Sequence, residues 1–302
     1  MATSAVLTLN DLDAWRPDGV HLAVLGHPIR HSISPAMHNA ALAEMALRNP
    51  GFSNWSYVRF DVPPQDLPTA LHRLHARGFL GLNLTVPHKV LAFAQVASID
   101  PAAVPIGAVN TLKRESGGWK GFNTDGYGLT MAVKETLGIH LRDKEIILLG
   151  AGGAARGAAV ECLRQECRAL WIGNRTQENL VRLLSELHGT AGRIPLHGFN
   201  PSSPPADLPL HALVINATSA GLRPDDAPPI ILESIPPPSG VYDMIYNPAE
   251  TPLLASASRM GIPTANGLSM LVHQGVRALE IWSESDVPVR AMRTAAVQAM
   301  GR

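Results

Sequence analysis

Cysteine is almost missing from this chain: Cys162 and Cys167 are the only two in 302 residues. That scarcity excludes a disulfide framework, and their spacing fits neither a zinc pair nor a C-x-x-C redox motif. Both are expected on one helix, as buried structural thiols of a reducing compartment. Charge of either sign is also in short supply, with 25 basic residues balancing 25 acidic ones at 17% of the chain. A formal net charge of zero leaves no general attraction to nucleic acid or anionic membrane, and neither partner is expected. An anionic ligand must then be held by local donors. No apolar run is long enough to span a bilayer. The first 20 residues carry Asp11, Asp13 and Asp18 and lack the basic and apolar segments of a signal peptide, so a cytoplasmic protein is expected. There is no H-E-x-x-H, and His27, His31 and His38 have no acidic ligand close by, so no metal is expected. A G-x-S-x-G elbow is absent too, which argues against a serine hydrolase. No internal repeat of solenoid period is found.

What the chain does have is 46% hydrophobic residues, the composition of a globular protein, over a length comfortable for two α/β cores. It is organised around residues 144–157. Residues 146–149 are a short apolar run of the kind that forms a parallel strand buried on both faces. The run enters Gly150-Ala-Gly-Gly-Ala-Ala155, a match to G-x-G-x-x-A, and then an alanine-rich stretch predicted to be helical to about residue 166. Strand, glycine turn and helix in that order form a dinucleotide-binding turn, in which the helix N-terminus offers unpaired N–H groups to a pyrophosphate. The acidic residue expected about 20 positions on, for a ribose 2′-hydroxyl, is absent. The second strand, 169–173, runs instead into Asn174-Arg175-Thr176. Arginine there suits a 2′-phosphate, which favours NADP over NAD, although it also fits a solvated residue opening a helix.

In chain order, residues 1–19 read as a peripheral extension, with Trp15 packed on the body. Strands are expected at 21–25, 55–62 and 79–84, the second alternating in character, with helices at about 35–48 and 64–78 between them. Another helix starts near Pro87. This β-α-β-α-β order implies a parallel sheet whose ligands gather at the carboxyl ends of its strands. Residues 107–113 and 119–122 flank Ser116-Gly117-Gly118 as a hairpin. A bridging helix from Asp125 to about 137 leads into the nucleotide-binding half. There, 176–187 is helical, 197–211 and 223–229 are surface loops, and 212–215 and 241–245 are further strands. Helices follow at 251–260, 268–282 and from about 288.

Several strand ends carry small polar groups. Ser32 and Ser34 precede Pro35, so two hydroxyls meet at a helix start, able to hold an anion or simply to cap. Lys89 stands near the start of a helix, where the dipole does not favour a cation. Alone, it reads as a surface lysine, and Asp125 alone reads as an N-cap. Together they make a carboxylate that sustains an ammonium as proton donor. His38 is placed on a helix that buries its other face.

Read as a set, these residues resemble shikimate dehydrogenase, from about residue 22 to 282. The matching runs begin with Gly26-His-Pro-Ile-Arg-His-Ser-Ile-Ser-Pro-Ala-Met-His-Asn39, Asn83-Leu-Thr-Val-Pro-His-Lys89, Gly107-Ala-Val-Asn-Thr-Leu112 and Gly121-Phe-Asn-Thr-Asp-Gly126. They continue with Gly150-Ala-Gly-Gly-Ala-Ala-Arg-Gly157, Asn174-Arg-Thr176, Asn216-Ala-Thr-Ser-Ala-Gly221, Tyr242-Asp-Met-Ile-Tyr-Asn-Pro248 and Met270-Leu-Val-His-Gln-Gly275. Nine runs in the family's order are specific where one is not.

The resemblance implies a two-domain α/β fold. An α/β substrate domain, 1–128, is completed by C-terminal helices within 265–302, and a Rossmann-type doubly wound NADP domain spans 129–264. It implies reversible NADP-dependent reduction of 3-dehydroshikimate to shikimate, by a monomer or homodimer. By the same resemblance, Ser32 and Ser34 hold the substrate carboxylate. Asn83, Thr85, Asn110 and Gln274 bind ring hydroxyls, Tyr246 lines the site, and Lys89 and Asp125 are the catalytic pair. The cofactor falls to Gly150, Ala151, Gly152, Gly153, Ala154, Asn174, Arg175, Thr176, Thr218, Met244 and Gly267. Two departures stand out. Asn179 replaces a basic residue common four positions after the arginine, and Asn266-Gly267 replaces Asp-Gly. A related enzyme acting on quinate or an amino analogue, and a non-catalytic regulator binding NADP and shikimate, are the rival readings.

Overall fold

The structure, a computed structural model, describes residues 5–15, 18–223 and 225–301. Val20–Gly26 forms β1, buried from His21 onward. It is followed by α1 (Ser34–Arg48), β2 (Trp55–Asp61), α2 (Leu67–Ala76), β3 (Gly81–Leu84) and α3 (His88–Phe93). A two-residue strand, β4 (Ser98–Ile99), precedes the hairpin β5 (Thr111–Glu115) and β6 (Gly118–Phe122). Then come α4 (Asp125–Leu137), β7 (Glu145–Leu149), α5 (Gly153–Arg164), β8 (Ala169–Gly173), α6 (Gln177–Ala191) and β9 (Leu196–Phe199). The chain continues through β10 (Leu213–Asn216), β11 (Gly240–Asp243), α7 (Pro252–Arg259), β12 (Thr264–Asn266), α8 (Leu268–Ser283) and α9 (Val289–Ala299). It divides into two units, one of residues 1–124 with 272–302 and the other of residues 125–271. None of the described helices is long and apolar enough to cross a membrane.

In the first unit the strand order is β2-β1-β3-β5-β6-β4. β2, β1 and β3 are parallel, as the β-α-β-α-β order implies. The sheet is nevertheless mixed, because β5 runs antiparallel to both β3 and β6. A tight hairpin can only join antiparallel strands, so the turn at Ser116-Gly117 dictates the reversal between β5 and β6. The alternation expected of β2 is blurred, since only Tyr57 and Phe60 along it are buried. Its outer side is met by the N-terminal extension, where Leu7 N–H donates to the Arg59 carbonyl and the Leu7 carbonyl accepts from Asp61 N–H. That extension is less peripheral than expected, for Leu12 is fully buried in the unit's core and Trp15 packs on Phe60 and Phe79. Residues 1–4, 16 and 17 lie outside the described residues. On α1 packs α9. Trp282 of α8 lies against Gly81, where a Cβ would stand 2.2 Å from the indole nitrogen. That nitrogen donates to the Leu112 carbonyl.

The second unit holds a parallel sheet of order β12-β11-β10-β7-β8-β9. Numbered from β7, this is the doubly wound order 3-2-1-4-5-6, whose strand order reverses between β7 and β10. All four residues of β10 and of β11 are buried, apolar at first and each closed by a buried polar residue, Asn216 and Asp243. α6 buries Leu180, Leu183, Leu187 and Ala191, the spacing of one helical face. β9 falls partly within a stretch expected to be a loop. Its Leu-His-Gly-Phe has no strand pattern, and it is drawn into the sheet by pairing with β8. Both cysteines are buried free thiols. Only Cys162 is helical, because α5 ends at Arg164 and leaves Cys167 in the turn before β8.

Candidate active site

In the first unit the sequence motifs meet at the carboxyl ends of β1 and β3. Thr85 N–H donates to the Leu25 carbonyl, and His88 N–H to the Thr85 carbonyl, so Thr85 and Lys89 follow directly from the sheet. Gly26 is needed for this crossing, since a Cβ there would lie 2.5 Å from Thr85 Cγ2. The Lys89 carbonyl accepts from Val109 N–H, which brings the Lys89 backbone beside Asn110. Asn110 Nδ2 in turn lies 3.5 Å from Gln274 Oε1. Thr124 N–H donates to Asn110 Oδ1 at 2.9 Å, which anchors the residue immediately preceding Asp125. Asp125 itself opens α4, in the other unit.

Ser32 and Ser34 are half-buried in the loop after β1. Ser34 is not the N-cap expected of it. Ile33 already has helical backbone angles (φ −91°, ψ −1°), so Ser34 is the first helical residue and α1 has no side-chain cap. Ser32 Oγ accepts instead from Ser34 N–H at 3.4 Å. The loop is braced by Arg59, whose Nη1 donates to the carbonyls of Arg30 and Ser32. Sequence reasoning missed Arg59, because nothing in an edge strand shows where its guanidinium reaches.

His38 is fully buried, contrary to its expected place on the open side of α1. Its ring lies flat on Tyr57, with centroids 4.0 Å apart at 15°. Nδ1 donates to the Ser34 carbonyl at 2.9 Å. Burial lowers its pKa to about 4, a shift opposed in part by that hydrogen bond. In the unfolded chain it titrates near 6.5. Between those values the unfolded state binds the extra proton, so stability falls as pH drops from 6.5 towards 4, by about 3 kcal/mol from this group alone. Burial also lowers His21 and His88, which act in the same direction, whereas burial raises Asp243 and so opposes it at the acid end. A urea midpoint at pH 4.5 well below that at pH 7 is expected, and equal midpoints would refute the assignment.

In the second unit β7 runs into Gly150, which has φ +117° and sits against Thr218 and Ala217, where a side chain would be strained and crowded. Gly152 then leads α5 in extended conformation with no capping side chain. At Gly152 and Gly153 a Cβ would meet nothing within 4 Å. No packing demand explains these two glycines, whereas a pyrophosphate laid on the bare helix start would fill that space. The residues present thus fit a dinucleotide. Ala151 and Ala154 flank this turn. Thr218 belongs to a hydrogen-bonded turn after β10, donating N–H and Oγ1 to Asn216 Oδ1. Asn216 Nδ2 donates to the buried Asp243, whose second oxygen accepts from Thr251. After β8, Asn174 Nδ2 donates to the Thr176 carbonyl, and Arg175 is exposed beside it. Tyr246 is half-buried, and burial raises its pKa, which keeps the phenol a donor.

Gly267 has a reason in the backbone. A Cβ there would stand 2.1 Å from the Met244 carbonyl oxygen, which cannot swing aside as a side chain does. Gly267→Ala is expected to cost about 1–3 kcal/mol or more and to weaken nucleotide binding through the displaced Met244. An unchanged melting temperature would show that the contact relaxes freely. Asn266 serves where aspartate is common: Oδ1 accepts from Leu268 N–H at the start of α8, while Nδ2 donates to the Ala249 carbonyl, which a carboxylate could not do.

Sheet order, glycine turn and polar strand ends together define a two-unit α/β protein of the dinucleotide-binding dehydrogenase type. Two family models match, the shikimate dehydrogenase substrate binding domain over residues 24–112 and the shikimate 5′-dehydrogenase C-terminal domain over 267–297. The chain is 40% identical to shikimate dehydrogenase (NADP(+)) of Moorella thermoacetica, over 93% of each chain. It is 39% identical to the enzyme of that name from Symbiobacterium thermophilum, over 94% of this chain and 96% of the other. The crystal structure of the Thermus thermophilus enzyme with NADP(H) and shikimate is 35% identical, covers 93% of this chain and 99% of its own, and superposes with a TM-score of 0.80. This chain belongs to the shikimate dehydrogenase family.

Proposed function

We propose that the protein catalyses the reversible NADP-dependent reduction of 3-dehydroshikimate to shikimate, within the shikimate pathway to aromatic amino acids. The observation that carries this reading is the gathering of Asn83, Thr85, Lys89, Asn110 and Gln274 at one end of the first unit's sheet, in a chain of this family. Ser32 and Ser34 hold the substrate carboxylate at the start of α1. Asn83, Thr85, Asn110 and Gln274 address the ring hydroxyls, and Tyr246 supplies a further phenol. NADPH, when bound, supplies the hydride. Residues 150–154 take its pyrophosphate, residues 174–176 its adenosine side, and Thr218, Met244 and Gly267 the remaining wall.

Reduction leaves an alkoxide on the ring, and Lys89 as ammonium gives it a proton, becoming a neutral amine. Asp125 keeps the ammonium charged and oriented. In the reverse direction the neutral amine accepts the hydroxyl proton. Two serines at the carboxylate favour shikimate over quinate by resemblance. A cytoplasmic enzyme, monomer or homodimer, is in keeping with this role. The test is NADPH formation followed spectrophotometrically with shikimate and with quinate. Turnover of shikimate well above quinate is expected, and no turnover of either would leave a binding protein in place of an enzyme.

A further inference from the structure

A buried residue outside the sequence motifs stands at the head of the polar network that these motifs form. Tyr57 of β2 is 1% exposed. One face of its ring rests on His38, and its hydroxyl donates to Asn83 Oδ1 at 2.7 Å. Burial pushes its pKa well up, so the hydroxyl keeps its proton. The Asn83 amide cannot turn over without loss. Its Nδ2 donates to the Asn110 carbonyl at 3.1 Å and to Thr111 Oγ1 at 3.0 Å. A flipped amide would set Oδ1 against that carbonyl, two acceptors face to face.

The same logic passes along the chain of donors. Thr111 Oγ1 accepts from Asn83, so its proton is free to go to Asn110 Oδ1, 3.0 Å away. Asn110 Oδ1 also accepts from Thr124 N–H, which turns Asn110 Nδ2 towards Thr124 Oγ1 and Gln274 Oε1. Each link therefore has one sense, from Tyr57 through Asn83, Thr111 and Asn110 to Gln274. With Gln274 Oε1 turned to Asn110, its Nε2 faces away as a donor.

We propose that Tyr57 is a positioning residue for substrate selection: by holding Asn83 as an acceptor at its head, it orients the amides that discriminate the ring hydroxyls. This rests on the reading of Asn83, Asn110 and Gln274 as hydroxyl-binding residues. Such a network rewards a ligand whose donors and acceptors match its sense, and it penalises one whose do not. Loss of the phenol proton leaves the buried Asn83 Oδ1 without its donor and loosens the head of the network, although Nδ2 stays bound, and the match to a particular hydroxyl weakens with it.

The experiment compares the unaltered protein with Tyr57→Phe on shikimate and on its two monodeoxy analogues lacking the C4 or the C5 hydroxyl. Tyr57→Phe is expected to raise the KM for shikimate about fivefold to tenfold, the scale of one buried hydrogen bond. Its kcat should stay within about twofold, and its affinity for NADP by calorimetry should be unchanged. For at least one deoxy analogue the KM increase should vanish, because the hydroxyl being read is gone. Thr111→Val breaks the next link at nearly constant shape and should give the same ligand pattern, which keeps the test available if Tyr57→Phe does not fold. A similar KM increase for all three ligands, or none for shikimate, in the variant that folds would overturn the proposal and leave the proposed activity standing. Absence of shikimate turnover by the unaltered protein would overturn both.

Discussion

Lys89→Ala lowers kcat for shikimate oxidation by about a hundredfold or more, the scale of losing a general acid–base group. The expectation follows from where the residue sits. Its backbone is tied to Val109, one residue from Asn110, so its side chain is carried by the same framework as the amides proposed to hold the ring. Those amides remain in the variant, and the KM for shikimate should change little. The measurement is steady-state NADPH formation under saturating NADP. A variant whose kcat stays within about threefold of the parent would remove Lys89 from the chemistry. Asp125→Asn supplies the companion test. If the two residues act as a unit, the double variant is scarcely worse than the worse single one, whereas multiplied losses would show independent roles.

Arg175→Ala cuts kcat/KM for NADP by about 10–150-fold, the range for charge-assisted hydrogen bonds to a phosphate. The value for NAD should hardly move. Arg175 follows β8, at the exposed position where a doubly wound sheet receives the adenosine ribose. The basic residue common four positions later is Asn179 here, and the structure shows what that asparagine does. Its Oδ1 accepts from Arg182 Nη2 at 2.7 Å, drawing a guanidinium from further along α6 back towards the helix start. Both partners are on the surface, so this contact adds little to stability. Asn179 itself carries no charge, so the second positive group common in the family is not supplied at that position. A clear preference for NADP with measurable NAD activity is therefore expected. Equal losses with both cofactors in Arg175→Ala would show that Arg175 holds the adenine or the fold.

The parts of the fold legible in the sequence were those whose pattern is set by burial alone. β7, β8, β10 and β11 lie inside a parallel sheet, and each reads as an apolar run closed by a turn. β4, β9 and β12 did not, being short or at the edges of their sheets, where a partner strand rather than composition makes the strand. Among the proposed site residues, Ser32, Lys89 and Asp125 stand out from their places in the chain, Asn83 and Asn110 only through the family resemblance, and the surroundings of none are legible. His38 looked like the polar side of α1 because the elements that cover it come from the far end of the chain, with Gly275 of α8 3.3 Å from its ring when measured from an ideal Cβ. Tyr57 looked like any aromatic residue in a strand, since its meaning lies in a hydrogen bond to Asn83, 26 positions away.

The packing of α9 on α1 sets an order of assembly during synthesis. The unit of residues 125–271 is one continuous length of chain, synthesised before α9. The other unit is interrupted by it, and α1 waits for a helix made only after that whole unit. Until then the face of α1 that packs on α9 has no permanent cover and is a surface on which a nascent chain is open to chaperones or to aggregation. Removing α9 would leave all nine motif runs intact and still strand the protein in that half-made state.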